Sequence, residues 1–234
     1  MRSANEHVLL LDAGDSIYGA VTPASSTKGA SSIAVMNLLA YDALALGAGD
    51  FFIGQEIETR IAEARFPILS ANTYLSSTGE LPAAPYVLRE IAGHTVAIVG
   101  VSESFTHGGY RSTDPVTAAA QAVQEVSAKA TVIILLSHAG KPVDAQIAQQ
   151  VPGIDVLIGG GLDLTLSPTQ DPTFGAILIQ AEAPQPGYAG LFLGQGTFHF
   201  DARGTVTQFK WVRHTITENV PADPEIAQWV SANP

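Results

Sequence analysis

The sequence predicts an α/β fold, and three observations support that prediction. Apolar, strand-like segments alternate with helix-like segments from residue 7 to residue 161. Strands that are separated by helices are typical of a buried, mostly parallel sheet. After residue 161 the pattern becomes β-rich, with Gly and Pro between the apolar runs. We therefore expect antiparallel strands there, which join the parallel sheet or form a second layer.

Each element is predicted from its own local pattern. Residues 31–43, SSIAVMNLLAYDA, carry apolar side chains three and four positions apart, which is the period of a helix. Asp114 and Pro115 suit the N-cap and first turn of a helix over residues 114–130. Further helices are predicted at residues 55–64 and 143–151 and at the C-terminal end. Strands are predicted at residues 7–15, 44–47, 66–73, 131–138 and 154–161, with two more across 85–103 that turn at Ala92-Gly93.

Composition narrows the class of protein. The chain has 234 residues, which fits one domain over residues 1–234. Its net charge of −11 makes binding to nucleic acid or to an anionic membrane surface unfavourable. There is no cysteine, so disulfides and thiolate zinc sites are excluded. No apolar run approaches the roughly 20 residues of a membrane span. The start lacks a secretory pattern, which leaves the localisation open.

Polar residues follow four of the predicted strands. These strand ends are DAGD at 12–15, GAGD at 47–50, LSHAG at 136–140 and GGGLD at 159–163. Ligand sites in open α/β sheets form at the carboxyl ends of strands. Carboxylates and an imidazole at one edge suit a divalent metal. The residues that could supply them are Asp12, Asp15, Asp50, His138 and Asp163. Taken singly, an Asp after a strand is more often a turn former or helix cap, and this alternative stays open.

Taken together, these strand ends resemble the N-terminal metallophosphatase domain of the 5′-nucleotidase family, within the calcineurin-like phosphoesterase superfamily. LLLDAGDSIYG is similar to the family motif whose Gly-Asp carboxylate bridges two metals, here Asp15. ILLSHAG resembles the strand that carries a metal histidine, here His138. YDALALGAGDFFIG resembles the family stretch Y-D-x-x-x-x-G-N-H-E-F-D-x-G, and IDVLIGGGLD resembles the strand that ends in Gly-Gly-His-x-His. The resemblance implies a layered sandwich of mixed β-sheets flanked by helices.

The chain departs from the family pattern at most of the metal-binding positions. Ala48 stands where the family has its Asn ligand, and Gly49 where it has its catalytic His. Gly161 and Asp163 stand in place of the two histidines of the Gly-Gly-His-x-His motif. The first motif, Asp-x-His on an opening strand, has no counterpart, so we expect the fold to lack its first strand. Of the family's metal ligands, only Asp15 and His138 match.

The losses at three separate motifs predict a degenerate domain without phosphoesterase activity, which acts as a binding or structural subunit. We expect no cofactor, or else a single Mn²⁺, Zn²⁺ or Mg²⁺ ion at Asp15, His138 and Asp163, with Asp12 and Asp50 behind them as supporting residues. The backbone left unpaired by the missing first strand would suit a protein partner. Two alternatives remain. One is a hydrolase with this reduced one-metal site, and the other is a metal-free cleft that binds an anion at backbone N–H groups.

Overall fold

The computed structural model describes residues 5–19, 22–161, 168–180 and 192–233. Five α-helices lie in these ranges: α1 Ala30–Leu38, α2 Glu56–Glu63, α3 Pro115–Val126, α4 Lys141–Gln150 and α5 Pro224–Ala232. A 3₁₀ helix covers Ala48–Ile53. The strands are β1 Leu11–Asp12, β2 Ala43–Ala45, β3 Ile68–Leu69, β4 Thr73–Leu75, β5 Tyr86–Ile91, β6 His94–Ser102, β7 Thr106–His107, β8 Tyr110–Ser112, β9 Val132–His138, β10 Val156–Gly159, β11 Thr169–Gln170, β12 Ile177–Gln180, β13 Phe192–Phe200 and β14 Val206–Thr215.

Two sheets form the centre of the protein. The larger has the strand order β11-β12-β10-β9-β6-β5. Its four inner strands run parallel, while β5 and β11 pair antiparallel at its two edges. The smaller sheet, β1-β2-β3, is parallel throughout. The remaining strands form a β4-β8-β7 sheet and the β13–β14 hairpin. The predicted α/β class with mixed sheets is confirmed.

The layers follow from the two-residue period of the strands. In β2 and the residue after it, Leu44 and Leu46 pack against α1 and α2, while Ala43 and Ala45 face the larger sheet. Small residues on that inner face let the two sheets approach closely. The opposite face of the larger sheet is covered by α3 and α4. The order is therefore helix, sheet, sheet, helix, which is the layered sandwich that the resemblance implied.

Local chemistry explains several element boundaries. The two strands expected across residues 85–103 turn at Ala92 and Gly93, whose φ angles are +52° and +82°, as a two-residue hairpin requires. Asp114 caps α3 as expected, since its side chain accepts a hydrogen bond from the Thr117 N–H. Helix α1 ends at Leu38, five residues earlier than predicted, because the backbone N–H of Asp42 bonds to Leu10 O and draws the chain into the small sheet.

The described residues contain no helix that is both long enough and apolar enough to cross a bilayer. Helix α5 has no buried residue.

The half-buried Asp155 gives a pH-dependent test of this fold. Its carboxylate accepts a hydrogen bond from Ile133 N at 2.8 Å. Burial raises the pKa of Asp155 from 3.8 to about 6. A group with a raised pKa in the folded state contributes stability that is lost as the pH rises from 3.8 to about 6. Asp155→Asn keeps an acceptor oxygen without the charge, so it should be more stable than wild type above pH 6, by about 2 kcal/mol, and nearly equal to it near pH 4.

Urea unfolding between pH 4 and 8 measures this difference, with Asp201→Asn as the control. Asp201 is an exposed carboxylate whose pKa is lowered by the backbone N–H groups of Thr205 and Arg203. A lowered pKa stabilises the folded state in the ionised form, so the control should lose stability relative to wild type as the pH rises. Equal pH profiles for Asp155→Asn and wild type would contradict the burial of an ionisable group at this position.

Candidate functional site

The two central sheets end at a common edge, where four chain segments meet. Asp15 lies just after β1, and the turn at Gly47 follows β2. Glu103 follows β6, and His138 is the last residue of β9. Because β6 and β9 are parallel and pair Ser102 with His138, their ends lie side by side. The predicted convergence of strand ends therefore occurs, and it involves both sheets.

Asp15 and His138 are in direct contact. His138 Nε2 lies 3.1 Å from Asp15 Oδ2. The other ring nitrogen, Nδ1, lies 2.8 Å from Ala13 O. A carbonyl oxygen can only accept, so Nδ1 carries a proton and Nε2 faces the carboxylate. The ring is only 8% exposed.

The protonation of this pair follows from its surroundings. Burial acts to lower the pKa of His138, but the Asp15 carboxylate and the charge of Glu103 outweigh it and raise the pKa to about 9. Burial acts to raise the pKa of Asp15, but His138 and the backbone N–H of Gly49 hold it below its usual value. In the absence of a metal, the pair is thus an imidazolium and a carboxylate at neutral pH.

Glu103 completes a cluster that the sequence patterns did not reveal. Asp15, Glu103 and His138 each offer one ligand atom, and these three atoms lie within 4.8 Å of one another. Glu103 Oε2 also accepts from the Ala48 N–H at 3.3 Å and from the Ser102 hydroxyl at 3.2 Å. None of the motifs that carry the family resemblance covers this position. The one feature of the sequence that could have indicated Glu103 is its position directly after the long apolar strand β6, which pairs with the strand that ends at His138.

Asp12 and Asp50 bond to the backbone around the cluster. The Asp50 carboxylate accepts from the N–H groups of Asp15, Ile17 and Gly47 at 3.0, 2.9 and 3.0 Å. Asp12 accepts from Gly14 N and Ser16 Oγ. Both carboxylates therefore hold the backbone beside the cluster, and their role as supporting residues of a metal site stays a prediction. Burial and the charge of Asp15 raise the pKa of Asp50 to about 7, against the opposing effect of its N–H donors. Asp163 lies outside the described residues, so its assignment stays a prediction.

Glycine backbone packs directly against the Asp15–His138 pair. A Cβ on Gly47 would contact Asp15 Oδ1 and lie 2.8 Å from His138 Cδ2. A Cβ on Gly49 would lie 2.8 Å from Asp15 Cγ, and one on Gly160 would lie 2.6 Å from Ala13 O. Real Cβ contacts are longer than these, so the three glycines are needed for steric reasons. The space beside the pair is occupied by main chain.

Gly47→Ala tests this close packing. Gly47 has extended backbone angles, φ −100° and ψ 171°, so an added methyl meets no conformational strain of its own. The clash with Asp15 and His138 should lower the free energy of unfolding by about 1–3 kcal/mol and shift the imidazole NMR signals of His138. The matched control is Gly19→Ala, because a Cβ on Gly19 has no neighbour within 4 Å. Equal stability of the two variants would contradict the close packing of Gly47 against Asp15 and His138.

Comparison with known proteins agrees with the fold. No protein-family model matches the chain. Human 5′-nucleotidase is 33% identical over 97% of this chain and 44% of its own length. The crystal structure of a 5′-nucleotidase precursor from Thermus thermophilus has a TM-score of 0.83 and 25% identity, over 99% of this chain and 50% of that one. The calcineurin-like phosphoesterase YfkN from Bacillus subtilis has a TM-score of 0.79 and 23% identity, over 99% of this chain and 85% of that structure.

The chain spans less than half the length of the curated 5′-nucleotidases that it matches. The similarity nevertheless runs along 97% of the chain itself. The chain therefore belongs to the 5′-nucleotidase family and has the calcineurin-like phosphoesterase fold.

Proposed function

We propose that residues 1–234 form one 5′-nucleotidase-type domain that lacks two-metal phosphoester hydrolysis and acts as a binding or structural subunit. The observation that carries the proposal is the chemistry of positions 48 and 49. The family resemblance puts an Asn ligand and a catalytic His there, and this chain has Ala48 and Gly49. Neither side chain can donate or accept a hydrogen bond.

The packing around Gly49 supports a lasting loss of this chemistry. The space of a Gly49 side chain is taken by the Asp15 carboxylate, which accepts a hydrogen bond from the Gly49 N–H at 2.7 Å. A histidine introduced at this position would therefore displace Asp15, one of the two matching family ligands. Introducing the histidine at position 49 alone would therefore not restore the family's two-metal site.

The remaining donors fit one divalent cation. Asp15, Glu103 and His138 would hold it, with Nδ1 of His138 donating to Ala13 O so that Nε2 faces the cluster. Two carboxylates and an imidazole suit Mn²⁺ or Zn²⁺. When bound, such a cation supplies charge neutralisation for an anionic ligand and polarises bound water. Two cations about 3.5–4 Å apart need a larger ligand set than these three side chains.

A one-metal phosphoester hydrolase is the second candidate function. The convergence of Asp15, Glu103 and His138 favours it, because a single cation is enough to polarise water. It differs from the first candidate in turnover, which a subunit with a binding role does not require.

Calorimetric titration of metal-stripped protein with Mn²⁺ and Zn²⁺ tests the cation site. We expect one ion per chain, and a loss of affinity of about tenfold or more in Asp15→Asn and Glu103→Gln, since each variant removes one anionic ligand. Asp201→Asn, an exposed acid on the β13–β14 turn, is the control and should bind as wild type does. The same samples are assayed with nucleotide and aryl phosphate substrates.

The outcomes separate the candidates. Binding of one ion without turnover supports the first proposal. Turnover that requires the ion and disappears in Asp15→Asn replaces it with the one-metal hydrolase. Two bound ions with strong turnover would overturn the claim that two-metal catalysis is lost.

The edge of the small sheet supports a structural role. In the described part of the chain, no strand pairs with the outer side of β1. The register of β1 with β2 directs the backbone groups of Leu11 away from β2. Leu9, Leu10 and Leu11 are only half-buried, whereas Ala43–Leu46 are fully buried. An apolar edge of this kind fits an extended strand from another polypeptide chain.

Hydrogen exchange tests whether this edge is open. The Leu44 and Leu46 N–H groups bond to Pro67 O and Leu69 O at 3.0 and 2.9 Å, so they should exchange slowly. The Leu9 and Leu11 amides should exchange faster by at least tenfold in the isolated protein, because no strand among the described residues pairs with the outer side of β1. Equal protection of Leu11 and Leu44 would show that the edge is already covered, and would rule out strand addition there.

A further inference from the structure

A cavity of about 240 Å³ lies at the amino ends of two central strands of the larger sheet. Thr131 directly precedes β9 and Asp155 directly precedes β10, and both residues line the cavity. The cluster residue His138 closes the opposite end of β9, six residues (138 − 132) after Val132. At about 3.3 Å per residue in a parallel strand, the two ends of β9 are roughly 20 Å apart. The cavity is therefore separate from the candidate cation cluster.

Three parts of the chain form the walls of the cavity. One wall runs from the end of α3 to the start of β9, the second is the turn before β10, and the third is the tip of the β13–β14 hairpin. Two of the lining side chains are charged, and they are Asp155 and Arg203. They come from different walls, so the fold brings one negative and one positive group to the same cavity.

The hairpin tip is fixed against the sheet. Asp201 Oδ1 accepts hydrogen bonds from the N–H groups of Arg203 and Thr205, both at 2.9 Å. Gly204 has a φ of +87°, and a Cβ there would collide with Thr131 O. The backbone of the tip therefore lies directly on the residue before β9, and the cavity is formed before any ligand binds.

Asp155 brings an incompletely bonded carboxylate to the cavity. Its Oδ2 accepts one hydrogen bond, from Ile133 N at 2.8 Å. An ionised carboxylate has about four acceptor sites, and within the described residues Asp155 has no ion pair and no second hydrogen bond. Burial disfavours the charged form and raises the pKa of Asp155 to about 6. At neutral pH the carboxylate is therefore charged and short of donors, which a cationic group of a ligand can supply.

Arg203 brings an anion-binding group to the same cavity. Its guanidinium takes part in none of the ion pairs that the described residues form, so it does not pair with Asp155. A guanidinium has five N–H donors and binds a carboxylate through two parallel hydrogen bonds. Because the two charged side chains are not bonded to each other, a ligand can contact both.

We propose that this cavity binds a small zwitterion of the α-amino acid class, whose ammonium group donates to Asp155 and whose carboxylate accepts from Arg203. The two opposite charges of such a ligand match those of the cavity, so neither charged side chain is left unpaired. A simple cation would leave Arg203 unmatched, and a simple anion would be repelled by Asp155. The proposal does not depend on metal binding at the strand-end cluster.

The volume of the cavity limits the size of the ligand. About 240 Å³ equals roughly eight water molecules at about 30 Å³ each. Cofactor and drug-sized ligands occupy pockets of about 300–1,000 Å³. A small amino acid such as glycine, alanine or serine fits the available space, whereas a nucleotide is too large for it.

Three probes of similar size separate the two contacts: alanine carries both charges, ethylamine only the cation and propionate only the anion. Binding is followed by ¹H–¹⁵N NMR of the full chain at about pH 8, where Asp155 is ionised, and the same spectra show that each variant is folded. The variants are Asp155→Asn and Arg203→Gln, which each remove one charge but keep hydrogen-bonding atoms. The matched controls are Glu80→Gln and Lys210→Gln, an exposed acid and an exposed base that do not line the cavity.

We expect alanine to shift the amide signals of Thr131, Asp155 and Gly204, with a dissociation constant in the millimolar range. This constant should rise about tenfold or more in Asp155→Asn and in Arg203→Gln, because each variant loses one hydrogen-bonded pair of opposite charges. It should stay unchanged in the two controls. Ethylamine and propionate should each bind more weakly than alanine.

Two results would overturn the proposal outright. One is the absence of alanine-dependent shifts at the cavity amides, and the other is equal affinity of wild type, Asp155→Asn and Arg203→Gln. Equal binding of ethylamine and alanine, with no effect of Arg203→Gln, would also overturn the zwitterion class, since it would show that only the carboxylate of Asp155 is used.

Discussion

The contact between Asp15 and His138 joins the two sheets of the protein at the edge where their strands end. Asp15 follows β1 of the small sheet, and His138 closes β9 of the large one. The same imidazole binds Ala13 O through its other nitrogen, so one ring makes two bonds across the sheet boundary. This geometry requires main chain without side chains beside it, and Gly47 and Gly160 provide that. Glu103 and the 3₁₀ helix lie against this junction, because Glu103 accepts from the Ala48 N–H and Asp15 accepts from the Gly49 N–H.

Hydrogen bonds and one protonated imidazole offset the negative charge at the junction. Four carboxylates, from Asp12, Asp15, Asp50 and Glu103, lie near a single imidazole. Backbone N–H groups bind Asp12 and Asp50, and the raised pKa of His138 supplies one positive charge next to Asp15. A cation at the cluster would take the place of that proton, since Nε2 cannot hold both. Metal binding at this site is therefore coupled to proton release, and it competes with the imidazolium more strongly as the pH falls.

Much of the fold could be predicted from the sequence, because periodicity and capping act locally. Local patterns predicted the alternation of strands and helices, the Ala92–Gly93 turn and the Asp114 cap. The meeting of Asp15 and His138 followed from the rule that strand ends share an edge. The sequence did not predict a site role for Glu103, because that role depends on which strand lies next to β9. Local sequence does not specify which strands are neighbours in a sheet. The cavity that Asp155 and Arg203 line joins residues 48 positions apart (203 − 155) and has no periodic signal.

The distribution of stability explains how this fold tolerates small residues at positions 48 and 49. The buried clusters lie between the sheets and under the helices, away from the strand ends, so Ala48 and Gly49 contribute little apolar burial there. Small residues in place of polar ones at this edge therefore open no cavity in the core. Core packing and the strand ends are therefore largely independent, so residues at this edge can change while the fold is kept.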